Sequence, residues 1–222
     1  MTRSGEPDGP GGDHGPVGHR ASFLDHLITG DETWVHHYTP ESKKDSMIWK
    51  RPPSPPAKKF KVQPSARKLM ATVFWDSKGI LLVDFLQPGQ TINATRYCET
   101  LNKLREAVRR KRPGRLSSGV IFQHDNATPH TANLTREWLE TYGWEALSHP
   151  PHSPDLAPSD FHLFGPLKRY LGGKRFNDDE ELISAVQTWL KSLDVNFFKD
   201  GVFSLLSRWQ KCVDLHGDYI EK

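Results

Sequence analysis

Cysteine is nearly absent. Cys98 and Cys212 are the two in 222 residues, they lie far apart, and neither sits in a CxxC pair. That excludes a disulfide framework and a zinc knuckle and makes a reducing interior compartment the default. Long hydrophobic runs are missing too. The longest aliphatic run, Ile80 to Val83, stops at Asp84, far short of the roughly 20 apolar residues of a membrane span. At the start of the chain, Glu6, Asp8 and Asp13 stand among glycines and prolines where a secretory segment would be apolar. No membrane partner is expected, and the compartment is cytosolic or nuclear. Gly172-Gly173-Lys174-Arg175 lacks the spacing and the Ser or Thr of a P-loop, so no nucleotide cofactor is expected. Zinc is set aside as well: His36-His37 and the pair His149 and His152, with no cysteine nearby, make a poor tetrahedral set.

What is present divides the chain at about residue 20. Residues 1–20 hold six glycines, three prolines and almost no apolar side chain, and read as a disordered tail. From 21 to 222 the pattern is that of one domain. Phe23, Leu24, Leu27 and Ile28 recur at helical spacing, suggesting an opening helix that stops at Gly30. Strands are predicted at 33–38, 68–75, 79–86 and 120–122, with a short fifth at 144–147, and the second and third form a hairpin. Helices are predicted over 93–111, 128–142, 159–171 (capped by Ser159), 177–191 (boxed by Asn177 and Glu180) and 202–215. This order gives an α/β domain with a mixed sheet flanked by helices. Trp34, Trp75, Trp138, Trp144, Trp189 and Trp209 are assigned to the core, while Trp49 stands among lysines and is a candidate for base stacking.

The net charge of +3 conceals strong segregation. Between 39 and 67, Lys43, Lys44, Lys50, Arg51, Lys58, Lys59, Lys61 and Arg67 face only Glu41 and Asp45. Between 96 and 115, Arg96, Lys103, Arg105, Arg109, Arg110, Lys111, Arg112 and Arg115 face Glu99 and Glu106. Each stretch carries +6, which leaves −9 for the rest. Such concentrated basic surfaces attract phosphate backbones, although a helix face like 96–115 is equally well an ordinary solvated surface.

Three aspartates stand at element ends: Asp31 before the first predicted strand, Asp125 after the 120–122 strand, and Asp160 at the start of a helix beyond the prolines at 150, 151, 154 and 158. Clustered carboxylates repel one another unless a hard cation such as Mg²⁺ or Mn²⁺ lies between them. Acidic N-caps are also common for structural reasons, so spacing alone leaves both readings open. His124, Asn126 and His130 flank Asp125 and are candidates for contacts one step behind a metal or phosphate, or for packing and capping.

The local sequences narrow the choice. Thr29-Gly30-Asp31-Glu32-Thr33-Trp34, His124-Asp125-Asn126-Ala127-Thr128-Pro129-His130 and Ser153-Pro154-Asp155-Leu156-Ala157-Pro158-Ser159-Asp160-Phe161-His162-Leu163-Phe164 closely resemble the catalytic motifs of mariner-family DNA transposases. Thirty-four residues, 126–159, separate the second and third acids, the spacing of the mariner branch; it selects Asp160 and leaves Asp155 as a turn residue. The resemblance runs from about Phe23 to the end, including Trp209-Gln210-Lys211-Cys212 and Gly217-Asp218-Tyr219. It implies an RNase H-like fold of the retroviral integrase superfamily, with a five-stranded sheet. It further implies two Mg²⁺ ions, replaceable by Mn²⁺, held by Asp31, Asp125 and Asp160 as catalytic and metal-binding residues, with Asp31 shared by both. Cleavage of transposon-end DNA, joining of the 3′ ends to a target, a DNA-bound homodimer and a nuclear location follow from the same likeness.

The insertion 39–67 falls where the family has its clamp loop, which makes its eight basic residues candidate DNA contacts. The family's N-terminal helix-turn-helix modules have no counterpart before Phe23 here, so specific end recognition is not expected of these residues. Some mariner catalytic domains follow a SET methyltransferase domain, but no SET-like segment is visible. The competing reading is a catalytically weak, transposon-derived DNA-binding and dimerisation module.

Overall fold

The computed structural model describes residues 23–41 and 63–220. The predicted tail, Trp49 and seven of the eight basic residues of the insertion lie outside them; Arg67 lies within. Among the described residues no helix is long and apolar enough to cross a membrane.

The chain forms a five-stranded sheet in the order β3-β2-β1-β4-β5. β1 (Leu27–His36) pairs antiparallel with β2 (Lys68–Asp76), which forms the predicted hairpin with β3 (Gly79–Phe85). Its turn is held by Asp76, whose Oδ1 accepts from Lys78 N at 2.9 Å and whose carboxylate pairs with Arg112 at 2.7 Å. β4 (Val120–Gln123) lies parallel to β1 on its other side, and β5 (Trp144–Ala146) parallel to β4.

Strand alternation sends successive β1 side chains to opposite faces and builds two cores. On one face Ile28 and Phe74 pack with Leu101, Leu104 and Val108 of α1 (Ala94–Lys111). α2 (Arg115–Ser118), α3 (Thr128–Thr131) and α4 (Asn133–Thr141) follow in sequence, and Trp138 and Leu139 of α4 complete that layer. On the other face Leu27, Val35, Val73 and Trp75 pack against α5 (Gly165–Leu171), α6 (Asp179–Ser192) and α7 (Val195–Asp214).

Several expectations need correction. Among the described residues the opening helix covers 23–25 and ends before β1 begins at Leu27, so Asp31 lies within the strand and does not precede it. Gly30 does not stop a helix. It lies in β1, where an added Cβ would run into the Phe74 ring, so a glycine lets that ring cross the strand. The helix expected over 128–142 breaks at Ala132, whose ψ of 149° is extended.

The segment expected to begin with a Ser159 cap instead opens as a π-helix, Ser159–Phe164, and Ser159 Oγ accepts from Trp75 Nε1 at 3.1 Å. The capping box is displaced by one residue: Asp178 accepts from Glu181 N, and Glu181 accepts from Asn177 N. The last helix starts seven residues early, at Val195, capped by Asp194. Gly201, one residue before the expected start, is buried in α7, where a Cβ would meet His162 at 2.5 Å. Trp34 is 42% exposed under Lys68 and is not a core residue.

Candidate active site

The β1–β4 ladder ends at the pair Thr29 and Gln123. Asp31 and Asp125 each stand two residues beyond that pair, where parallel strands separate and their carboxyl ends leave a crevice. Asp160 enters from the π-helical turn, close enough to Asp31 for the two charges to couple. Burial, then the charge of Asp160, pushes Asp31 well above the usual carboxylate range, and Asp125 adds to it. Burial likewise raises Asp160, partly opposed by Lys168. The three predicted acids therefore meet at one sheet end and feel one another's charge.

Asp125 is treated differently. His130 Nδ1 lies 2.6 Å from its Oδ1, and Ala127 N donates to the same oxygen at 3.0 Å. The His130 bond, working against burial, holds Asp125 down to about 2. Burial alone would lower His130, but Asp125 and Glu32 outweigh it and lift it to about 9. Glu32 Oε2 lies 3.4 Å from His130 Nε2, so the imidazolium bridges two carboxylates. Behind it stand His124, its ring 5.1 Å from that of His130, and Tyr97, 4.1 Å away. Burial and the neighbouring His130 push His124 down to about 3, so it stays neutral and accepts from the Tyr97 hydroxyl at 3.0 Å.

His124 and His130 thus wall the site as candidates near Asp125. Asn126 turns away, donating to the His149 carbonyl at 2.6 Å and tying down the proline loop. Gln123 holds the same loop through the Leu156 carbonyl at 2.9 Å. Between Asp125 and Asp160 opens a cleft of about 350 Å³, lined also by His149, His152 and Pro154. Among the described residues no group of three His, Cys, Asp or Glu side chains forms a ready metal-holding cluster. Asp125 and Asp160 border this cleft, and Asp31 is not among its lining residues.

Asp155, expected as a turn residue, is 3% exposed and its Oδ2 accepts from Ile220 N at 2.9 Å, anchoring the end of the described chain. Arg67 pairs with Asp179 at 2.9 Å and donates to the Asn177 carbonyl, so this member of the basic set braces the foot of the insertion. The second basic stretch is largely used internally: Arg96 and Lys103 on Asp84, Arg112 on Asp76, Arg105 and Arg109 on Glu106. Glu32 and Tyr97 were not singled out from sequence. Glu32 was visible only as the neighbour of Asp31, and Tyr97 only as a polar residue on the apolar face of α1.

Residues 39–118 match a family model described as a transposase, partial DDE domain. Over 204 residues the chain is 39% identical to the mariner Mos1 transposase of Drosophila mauritiana, covering 91% of this chain and 58% of that one. The crystal structure of the Mos1 catalytic domain aligns with a TM-score of 0.75 at 37% identity, covering 91% of this chain and 88% of that domain. The chain belongs to the mariner family of DNA transposases. Its five-stranded mixed sheet flanked by helices is the RNase H-like fold of the Mos1 mariner catalytic domain. The Mos1 mariner paired end complex with Mn aligns at a TM-score of 0.83 and 39% identity, covering 91% of this chain and 59% of that chain. The human histone-lysine N-methyltransferase SETMAR is 35% identical over 204 residues, covering 91% of this chain and 29% of that one. This mariner chain thus spans 58% of the length of the one full-length relative and 29% of the other.

Proposed function

We propose that Asp31, Asp125 and Asp160 form the centre of a divalent-metal-dependent DNA-cutting and strand-joining domain. The observation that carries this is the electrostatic coupling of three acids at one sheet end, with Asp31 raised by burial and by the charges of Asp160 and Asp125, and Asp160 raised by burial. Their donor set fits a hard cation: carboxylate oxygens, with a repulsion that a divalent charge relieves. Mg²⁺, with Mn²⁺ as substitute and two ions per site, is the proposed cofactor, held by Asp31, Asp125 and Asp160. When bound, two such ions activate the attacking oxygen and stabilise the leaving one in an in-line phosphoryl displacement.

The chain's own residues prepare for this. Asp31, fixed within β1, faces both other acids and is the ligand suited to being shared. Asp31 and Asp160 are both raised, so the protonation that this favours must be lost as a cation enters, and affinity should rise with pH. His130, braced by Glu32, keeps Asp125 ionised and fixes its orientation. Gln123 and Asn126 hold the proline loop that walls the cleft. DNA as substrate, a homodimer on DNA and action in the nucleus complete the proposal. Solved structures of Mos1 in a strand transfer complex and in paired end complexes with Mn or Mg support it.

The test is incubation of labelled duplex DNA with the chain in Mg²⁺ or Mn²⁺ beside an Asp125→Ala variant. Nicking by the parent and not by the variant is expected. Equal DNA binding by both with no cutting by either would reject the catalytic reading in favour of a binding module.

A further inference from the structure

β3 ends the sheet, so one row of its backbone N–H and C=O groups faces outward. A register shift opposite Phe74 and Trp75 puts a bulge at Ile80 and Leu81, whose carbonyls accept from Lys111 Nζ at 3.1 and 3.0 Å. Beside this plug a groove of about 450 Å³ runs along residues 78–83, between the C-terminal ends of α1 and α6. Its floor is apolar, built by Ile80, Leu82, Leu190, Leu193 and Phe198, and its rim carries Lys78, Arg110, Lys111 and Lys191 with no acid among the lining residues. All four cations are exposed. Burial first, then Arg110, Arg112 and Lys191, pushes the Lys111 ammonium below its ordinary value. The nearby Asp76 opposes this in part but is paired with Arg112.

We propose that this edge groove docks an extended acidic segment of another polypeptide, added as a sixth strand along β3. An alternating segment would set its apolar side chains on the floor and its carboxylates against Lys78, Arg110 and Lys191, while its amides pair with the open edge. A nucleic-acid backbone matches the charge but supplies neither apolar side chains nor a ladder of amides. The groove is also separated from the acidic cleft by β2 and β1, so a duplex seated on the acids has no direct route to it.

The probe is a fluorescein-labelled peptide of roughly eight residues alternating Glu and Val, long enough to pair along a strand, titrated into the full chain and followed by anisotropy. Saturable binding is expected, weakened roughly tenfold or more in the K78E/K191E variant and by N-methylation of alternate peptide amides. R110E serves as a second variant if the double one melts early. No binding at millimolar peptide, equal binding by the charge-reversed protein, or equal binding of the N-methylated peptide would overturn the proposal. So would displacement by random duplex DNA that is abolished in K78E/K191E, which would make the groove a phosphate site. DNA nicking by K78E/K191E should remain at the parental rate, which separates this result from the fate of the catalytic reading.

Discussion

Asp31 carries a folded-state cost that a cation would remove. Its value is raised, so the folded protein favours the protonated form, and the penalty grows as pH climbs above the ordinary carboxylate range. Asp31→Asn should therefore raise the melting temperature of the metal-free protein at neutral pH, a gain of about 1 kcal/mol corresponding to roughly 2–4 °C. The same change should abolish the Mg²⁺-dependent rise in melting temperature. Thermal melts in EDTA and across a Mg²⁺ titration decide it, and a surviving Mg²⁺ shift would remove Asp31 from the ligand set.

The His130–Asp125 pair has the opposite sign. Asp125 is held at about 2 against an ordinary 3.8, so its contribution is present above 3.8 and lost as pH falls through 2. His130 is raised from 6.5 to about 9, so its contribution is complete below 6.5 and lost as pH rises through 9. In EDTA, His130→Asn should cost most stability between about pH 4 and 6.5, and the gap from the parent should narrow toward pH 9; a gap independent of pH would refute the pair. Asp31, Asp125 and Asp160 were legible because each sits in a motif of its own, whereas Glu32 reaches His130 only because the strand turns it to the face opposite Asp31.

At the scale of elements, the helices and strands followed from apolar period and caps wherever no close approach intervened. α1 is an example, with Asn93 accepting from Arg96 N and Leu101, Leu104 and Val108 buried where the spacing put them. One failure has a clear cause: Gly30 looked like punctuation but sits where the Phe74 ring presses on the backbone, and Gly201 inside α7 meets His162 and Trp75 in the same way. Gly30→Ala should destabilise the protein by about 1–3 kcal/mol through overpacking against Phe74. A Phe74→Leu change in that background should recover some of the loss in urea melts. A neutral Gly30→Ala would show that the ring can move aside freely.

At the scale of the molecule, the charge map divides into two fates. The 96–115 stretch is spent on the protein itself, three of its cations meeting Asp84 or Asp76 across the sheet. The 39–67 stretch has only Arg67 among the described residues, and that side chain is paired. Replacing Lys58, Lys59 and Lys61 with alanine should weaken DNA binding and flatten its dependence on salt, since fewer counterions would be released. Binding isotherms across a salt series check this, and an unchanged slope would dismiss those lysines as phosphate contacts.

Sequence alone determined the fold class, the hairpin and the order of elements, and named three acids as candidates, because these depend on local period, turn chemistry and motif. Tertiary structure alone decided that the ladder between β1 and β4 stops short of Asp31 and Asp125, leaving both acids at the mouth of the crevice. It also decided that His130 links Asp125 to Glu32, and that one basic stretch is internal while an edge groove stays cationic. Those outcomes depend on which side chains meet across elements far apart in the chain, and pairwise distance in space is not written in local pattern.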